Sequence, residues 1–432
     1  MLASIGVKSV ADLFADVPEQ VRYKGTLDIP KGLSEPELAS LLGKIAKKNA
    51  NTDDYACFLG GGVYDHYVPA TVDTVLSRSE FYTAYTPYQP EVSQGTLQSI
   101  FEYQTCICEL TGMDVSQASM YDGATSVAEA ILMTVSITGK KTAVISGAVH
   151  PDAVRTAQTY VANAGVKVVV VPFKGGQTDT VALEQTVTDD AACVIVQSPN
   201  FFGCIENLEE IGRIAKTKSA MYVVSADPIT LGILKTPGEF GADIVVGEGQ
   251  PLGNPLSFGG PYLGFFACKE AYMRRIAGRV IGQTTDTRGQ RAFVLTMQTR
   301  EQHIRREKAT SNICSNEALN ALAALVYMST MGKQGIRDVA ELCLQKTAYA
   351  KKALAKVKGV SLPFAAATVK EFTIKVKDGP KTIRELAKKG ILVGPDLGRY
   401  FPELANHLLV AVTEKRTKEE IDSLAAALEG LA

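Results

Sequence analysis

The stretch Asp243-Ile-Val-Val-Gly-Glu248-Gly-Gln250-Pro251-Leu252-Gly253 decides how the rest of this chain is read. Its opening is a short apolar, β-branched run closed by glycines, which is the pattern of a buried strand running into a turn. Similar runs stand at Ala143–Ser146, Val166–Val171, Cys193–Gln197, Tyr222–Ser225 and Leu263–Ala267, and Asp243–Val246 joins them. Helical patterns such as Pro151–Asn163 and Leu208–Lys216 lie between several of these runs. Strands that alternate with helices predict an α/β fold with a mostly parallel sheet covered by helices on its faces.

Working outward, the pattern predicts three regions. Residues 1–95 form an N-terminal helical arm followed by a Gly- and Tyr-rich segment, residues 96–315 the large α/β domain, and residues 316–432 a small α+β domain. In the arm, Ser34-Glu-Pro-Glu37 is a capping box with proline tolerated in the first turn. Cys57-Phe-Leu-Gly-Gly-Gly-Val-Tyr-Asp-His-Tyr67 and Tyr82-Thr-Ala-Tyr-Thr-Pro-Tyr-Gln-Pro-Glu91 have weak periodicity and many turn formers, so irregular backbone is expected. Gly60-Gly61-Gly62 is no Walker loop, because no Gly-Lys-Ser/Thr follows, and it suits a tight turn or a close approach of backbone to another surface. Residues 278–315 again read as polar and irregular. Two helices are expected around Glu317–Met331 and Ile336–Lys356. The tail then reads strand (Phe372–Val376), helix (Lys381–Lys388), strand (Leu408–Val412), helix (Lys418–Leu428).

Composition narrows the function. The chain has 432 residues, 46% of them hydrophobic, with 45 basic and 46 acidic side chains and a formal net charge of −1. That is ample for a core and gives no electrostatic case for nucleic acid or a membrane surface. No run approaches the ~18 apolar residues of a membrane span. The first residues resemble neither a signal nor a transit peptide, so a cytoplasmic protein is expected. The eight cysteines are scattered, Cys106-x-Cys108 being the only close pair, and there are four histidines. These spacings disfavour a zinc site and suit buried reduced thiols.

Three further positions carry chemistry. Tyr121-Asp-Gly-Ala-Thr-Ser opens a helix with a glycine turn, where backbone N–H groups could hold a phosphate, although an ordinary N-cap by Thr125 or Ser126 explains the pattern as well. Asp227 follows one strand candidate and His150 another. In order and spacing these resemble fold type I enzymes dependent on pyridoxal phosphate (PLP), in which an Asp pairs with the ring nitrogen and a ring at the His150 position stacks on the cofactor. Such an enzyme needs a Schiff-base lysine after the strand that carries Asp243. Pro251 occupies that place, and a proline within a chain cannot form an imine. Lys269 and Lys235 are the alternatives, in the wrong context. The expectation is a vestigial cofactor pocket at His150 and Asp227, with no catalytic residue and no metal of its own.

Arg274, Arg275, Arg279, Arg288, Arg291, Arg300, Arg305, Arg306 and Lys308 make one basic region. It reads either as a solvated face or as an interface beside a substrate channel.

Phe58-Leu-Gly-Gly-Gly-x-Tyr64-x-His66-x-x-Pro69, Tyr85-Thr-Pro-Tyr-Gln-Pro-Glu-x-Ser-Gln-Gly95 and the run from Thr299 through Arg-Glu-Gln-His-Ile-Arg-Arg-Glu-Lys-Ala-Thr-Ser-Asn-Ile to Cys314 together resemble the P-protein of the glycine cleavage system, glycine decarboxylase. Length and the missing lysine resemble the alpha-type subunit of its split bacterial form. The resemblance spans essentially the whole chain. It implies a beta-type partner subunit that holds PLP covalently, an α2β2 assembly, glycine as substrate, and transfer of the aminomethyl group to the lipoyl arm of H-protein. On that basis Tyr85, Tyr88, Gln89, Glu91, Thr310, Ser311 and Asn312 are the candidates for an active site shared with the partner. Two other readings stay open: a self-sufficient PLP enzyme using an unexpected lysine, and a purely structural docking subunit.

Overall fold

The computed structural model describes residues 1–313 and 315–431. Residues from Thr52 onward form one compact unit and Met1–Asn51 a separate one.

In the N-terminal unit the capping box works as its residues dictate. The Ser34 N–H and hydroxyl both donate to the Glu37 carboxylate, at 2.8 and 2.7 Å, and helix Glu35–Ala46 follows. The arm is less helical than its pattern suggests. Beyond Leu2–Ile5 and Glu35–Ala46 it consists of short 3-10 turns and extended backbone, and none of its residues is buried.

The main unit is built on a seven-stranded sheet. Its strands are β1 (Val115–Ser116), β2 (Thr142–Ser146), β3 (Lys167–Val171), β4 (Ala191–Ser198), β5 (Met221–Ala226), β6 (Ile244–Glu248) and β7 (Gly264–Cys268), in the spatial order β1-β7-β6-β5-β4-β2-β3. β3, β2, β4, β5 and β6 run parallel, and β7 runs antiparallel to both β6 and β1. All six expected strands are present. β1, two residues long, was too short to show a period. The central strands are buried on both sides because apolar clusters cover both faces. Helices Gly123–Thr138 and Pro151–Val161 close one face, and Leu208–Thr217 with Ala318–Leu354 the other.

One region differs from the reading. Residues 278–315 contain a regular hairpin, Val280–Thr285 paired with Arg291–Thr296, whose Phe293 and Leu295 are buried against Leu97 and Ile100. Polar residues on its outer face masked the period. The two helices expected after residue 316 are present and meet at a kink at Gly332, where φ is 61°.

The C-terminal portion pairs Glu371–Lys375 antiparallel with His407–Ala411. A strand not foreseen, Ile391–Gly394, pairs in parallel with Ala56–Leu59, so the Gly-rich segment is stitched to the C-terminal portion. The seven described cysteines are unpaired, and burial pushes the thiols of Cys193, Cys204 and Cys268 up to about 12. No helix among the described residues is long and apolar enough to cross a membrane.

Candidate active site

In a parallel sheet, loops leave the carboxyl ends of the strands on one edge and form a crevice there. A cavity of about 290 Å³ lies at that edge in this chain. Its wall holds Asp122, His150, Gln197, Asp227, Glu248 and Lys370, among others. His150 and Asp227, the two expected pocket residues, therefore do share one cavity.

His150 caps helix Pro151–Val161. Its Nδ1 accepts from Asp152 N–H at 3.1 Å, its own N–H donates to Gln197 at 2.9 Å, and its ring meets Phe201 edge-on at 4.6 Å. Burial lowers its pKa, which keeps the imidazole neutral. At the opening of helix Gly123–Thr138 the cap is Asp122, and not Thr125 or Ser126. Its Oδ1 takes the Thr125 N–H at 2.7 Å. The first free donor of the helix, Gly123 N–H, points at the Glu248 carboxyl at 3.0 Å. The N–H groups of Gln250 and Leu263 converge on the same carboxyl at 2.9 and 3.0 Å. Burial pushes this carboxyl up to about 8, against the three donors, which favour its charged form.

Asp227 accepts Ile229 and Thr230 N–H groups at 3.0 and 3.2 Å on one oxygen. Its other oxygen is ion-paired with Lys370 Nζ at 2.5 Å. The same ammonium lies 3.6 Å from the centre of the Tyr64 ring and 3.2 Å from His66 Nε2. His66 Nδ1 then donates to Glu414 at 2.6 Å, and Tyr67 N–H donates to Glu414 at 2.7 Å. Although burial opposes its ionisation, the His66 hydrogen bond leads the effects that hold Glu414 down to about 2. Next to Lys370, Glu371 accepts Gly61 N–H and the Tyr64 hydroxyl, both at 2.6 Å, and burial pushes it up to about 7. A Cβ on Gly60 would fall 2.0 Å from the Glu371 carboxylate, and Gly61 and Gly62 have φ of +93° and +104°. The triple glycine is there for close approach and left-handed backbone.

His66, Cys343 and Glu414 bring three potential metal-ligating atoms within 4.8 Å of one another. The imidazole and the thiol already hydrogen-bond the Glu414 carboxylate, and the Lys370 ammonium beside the imidazole opposes a dication.

PLP needs an anion cradle for its phosphate, a carboxylate for its ring nitrogen and a lysine amine for its aldehyde. Here a carboxyl fills the cradle, a lysine holds the carboxylate, and the turn after β6, where a reactive lysine was sought, carries buried Pro251. Gln250 fixes that turn, exchanging hydrogen bonds with the Tyr64 backbone at 2.8 and 3.0 Å. Lys269 is ion-paired with Asp243 at the opposite end of β6, and Lys235 is exposed and absent from the cavity wall. The acidic groups of the wall outnumber its single lysine, so a phosphate dianion is disfavoured as well. The residues present do not fit the cofactor.

The residues expected at a shared site lie elsewhere. Tyr85, Tyr88, Gln89, Glu91, Thr310 and Asn312 are exposed. Tyr85 lines a second cavity, of about 260 Å³, with Arg279, Asn316 and Glu317. Tyr88 stacks near His303 at 5.0 Å and lies under the Arg279 guanidinium at 5.7 Å. Thr310 turns toward the Arg300 carbonyl, and Ser311 donates to buried Glu129 at 2.6 Å, so their hydroxyls face inward. Tyr88 and Thr310 are linked through the cluster of Arg279, Arg300 and Glu301. Within the basic region Arg279 and Arg300 are buried, while Arg288, Arg291, Arg305, Arg306 and Lys308 are exposed.

Residues 1–428 match the family model "Glycine cleavage system P-protein". The chain belongs to that family. It is 54% identical over 429 residues to "Probable glycine dehydrogenase (decarboxylating) subunit 1" of Desulforamulus reducens, covering 99% of this chain and 96% of that one. The protein of the same name from Geobacillus kaustophilus is 56% identical over 423 residues, covering 98% and 94%. Among solved structures, a glycine decarboxylase (P-protein) of the glycine cleavage system in inhibitor-bound form superposes with a TM-score of 0.94 at 40% identity, covering 100% of this chain and 97% of that one. A sphingosine-1-phosphate lyase from Burkholderia pseudomallei matches at a TM-score of 0.69 and 13% identity, covering 96% and 94%, which shows the shared fold alone. The expected fold class, α/β of the PLP-dependent transferase type, holds.

Sequence reasoning missed Glu248, Lys370, Glu371 and Glu414. No local pattern marks them, since each has a partner across a long stretch of chain.

Proposed function

We propose that this chain is the non-cofactor-anchoring subunit of a glycine decarboxylase, paired with a beta-type subunit that holds PLP. Together they would decarboxylate glycine and pass the aminomethyl group to the lipoyl arm of H-protein in the cytoplasm. The observation that carries this reading is the cavity at the strand ends. In a chain so similar to proteins named subunit 1, each of the three groups that PLP would need is answered by the chain's own side chains or by Pro251. A self-sufficient enzyme would need a lysine free to react in that cavity. The only lysine in its wall, Lys370, is engaged by Asp227.

On this reading the chain contributes surface rather than covalent chemistry. The exposed tyrosines at positions 82, 85 and 88 form a patch of rigid amphipathic side chains, the type enriched where partners meet. Arg279, over the Tyr88 ring, places a cation at the wall of the second cavity. These features support Tyr85, Tyr88, Gln89, Glu91, Thr310, Ser311 and Asn312 as the face turned to the partner's site. They also support the exposed arginines as the rim of that face, in an α2β2 complex.

The test is glycine–bicarbonate exchange in the presence of PLP and H-protein. The purified chain should give none, and no imine absorption band with PLP. Addition of the beta-type subunit should restore exchange. Exchange by the isolated chain would refute the assignment.

A further inference from the structure

The cradle at the opening of helix Gly123–Thr138 has the features of an oxyanion site. Three backbone N–H groups from three different segments converge on one carboxyl at 2.9–3.0 Å, Gln250 and Leu263 on one oxygen of Glu248 and Gly123 on the other. Such convergence of N–H groups at a helix opening ordinarily receives a ligand's phosphate or carboxylate. Here the occupant is covalently part of the chain, the carboxyl of Glu248 at the end of β6. The second ligand-facing group, Asp227, is likewise taken, by Lys370 arriving from the C-terminal portion. Both occupants line the same cavity.

We infer that Glu248 and Lys370 are built-in occupants of a ligand cavity, closing it to phosphate-bearing molecules and turning it into a brace between the sheet and the C-terminal portion. Absence of the lysine at position 251 explains only why no covalent bond forms. Glu248 explains why a phosphate ester would not be held even without that bond. Its carboxyl occupies the donors a phosphate would use. Lys370 extends the brace to His66, and His66 extends it to Glu414. The inference does not rest on the proposed pairing with a beta-type subunit. It concerns this chain's own cavity and is read on the chain alone.

The experiment compares full-length wild type with Glu248→Ala. Inorganic phosphate binding is followed by phosphorus NMR line broadening and by melting temperature in phosphate against chloride at equal ionic strength. Removing the carboxyl leaves three N–H donors aimed at an empty spot. The variant should bind phosphate saturably and at least about tenfold more tightly than wild type, a difference of ~1.4 kcal/mol. Pyridoxal phosphate should bind it non-covalently, and pyridoxal, which lacks the phosphate, should not. If the alanine variant is unstable in chloride, phosphate should restore its fold by refilling the cradle. Three results would overturn the inference: wild type binding phosphate as tightly as the variant, no gain of binding in the variant, or a variant that fails to fold even in phosphate.

Discussion

Replacing Lys370 with methionine tests the brace most directly. The substitution removes one ammonium and keeps most of the volume of the side chain. The Lys370 side chain is 2% exposed and that of Asp227 11%, so the pair is shielded from solvent screening. Removing one member of a buried pair costs ~3–5 kcal/mol, because the other charge is left without its partner in a poorly polarisable setting. Asp227 keeps the N–H groups of Ile229 and Thr230, which places the expected loss near the lower end, ~3 kcal/mol. Unfolding entropy is ~2.1 cal/mol/K per residue, or roughly 0.8 kcal/mol/K for a unit of about 380 residues. The melting temperature should therefore fall by about 4 °C. Scanning calorimetry of wild type, Lys370→Met, Asp227→Asn and the double variant completes the cycle. The double variant removes both charges, so it should be more stable than additivity predicts by at least ~1 kcal/mol. A shift below about 1 °C in Lys370→Met, or an additive cycle, would refute the claim that this pair braces the cavity.

Other expectations follow from the same geometry. Glu414 has a folded carboxyl held down to about 2, so it stabilises the fold above its ordinary value near 4.5, and that stability is lost as pH falls toward 2. The size is ~3 kcal/mol, and melts of Glu414→Gln and wild type should converge as pH falls from about 5 to 2; a constant gap would contradict it. Gly203 has φ +83°, and a Cβ there would sit 2.2 Å from the Glu371 carbonyl oxygen, so Gly203→Ala should cost at least ~2 kcal/mol in a thermal melt. An unchanged melt would mean that the strand carrying Glu371 is not packed on that turn. In the assembled complex, Tyr88→Phe should lower turnover about tenfold while the subunits stay associated, because it removes the hydroxyl that meets Arg279 at 3.4 Å. Unaltered turnover and Michaelis constant would confine Tyr88 to a packing role.

The sheet was legible because its strands are buried on both faces. Runs such as Val223-Val224 and Ile244-Val245-Val246 must be apolar throughout, and glycines or caps bound them. The hairpin from Val280 to Thr296 was not legible for the opposite reason. Its outer face meets solvent, and Gln283, Thr284 and Thr285 broke the run into what looked like loop. Strand Ile391–Gly394 depends on pairing with Ala56–Leu59, more than three hundred residues away, and no local pattern announces such a partner.

The site divides along the same line. His150 and Asp227 could be placed because each follows its strand directly, so the strand's position carries the residue with it. What those residues do could not be read. The sequence offers Asp227 as a partner for a ring nitrogen, and only tertiary packing brings Lys370 to it from 143 positions downstream. Glu248 stood in plain view within the stretch that shows the missing lysine. Yet a glutamate ending a strand has no fixed meaning until its donors are known. One of them, Gly123, is 125 residues earlier, and another, Leu263, is 15 later. A proline where a reactive lysine is sought can be read from one position of the sequence. Occupation of the cradle and of Asp227 is a set of long-range contacts and cannot. That asymmetry is why Pro251 identified what this chain lacks, while Glu248 and Lys370 were needed to say what the cavity holds in its place.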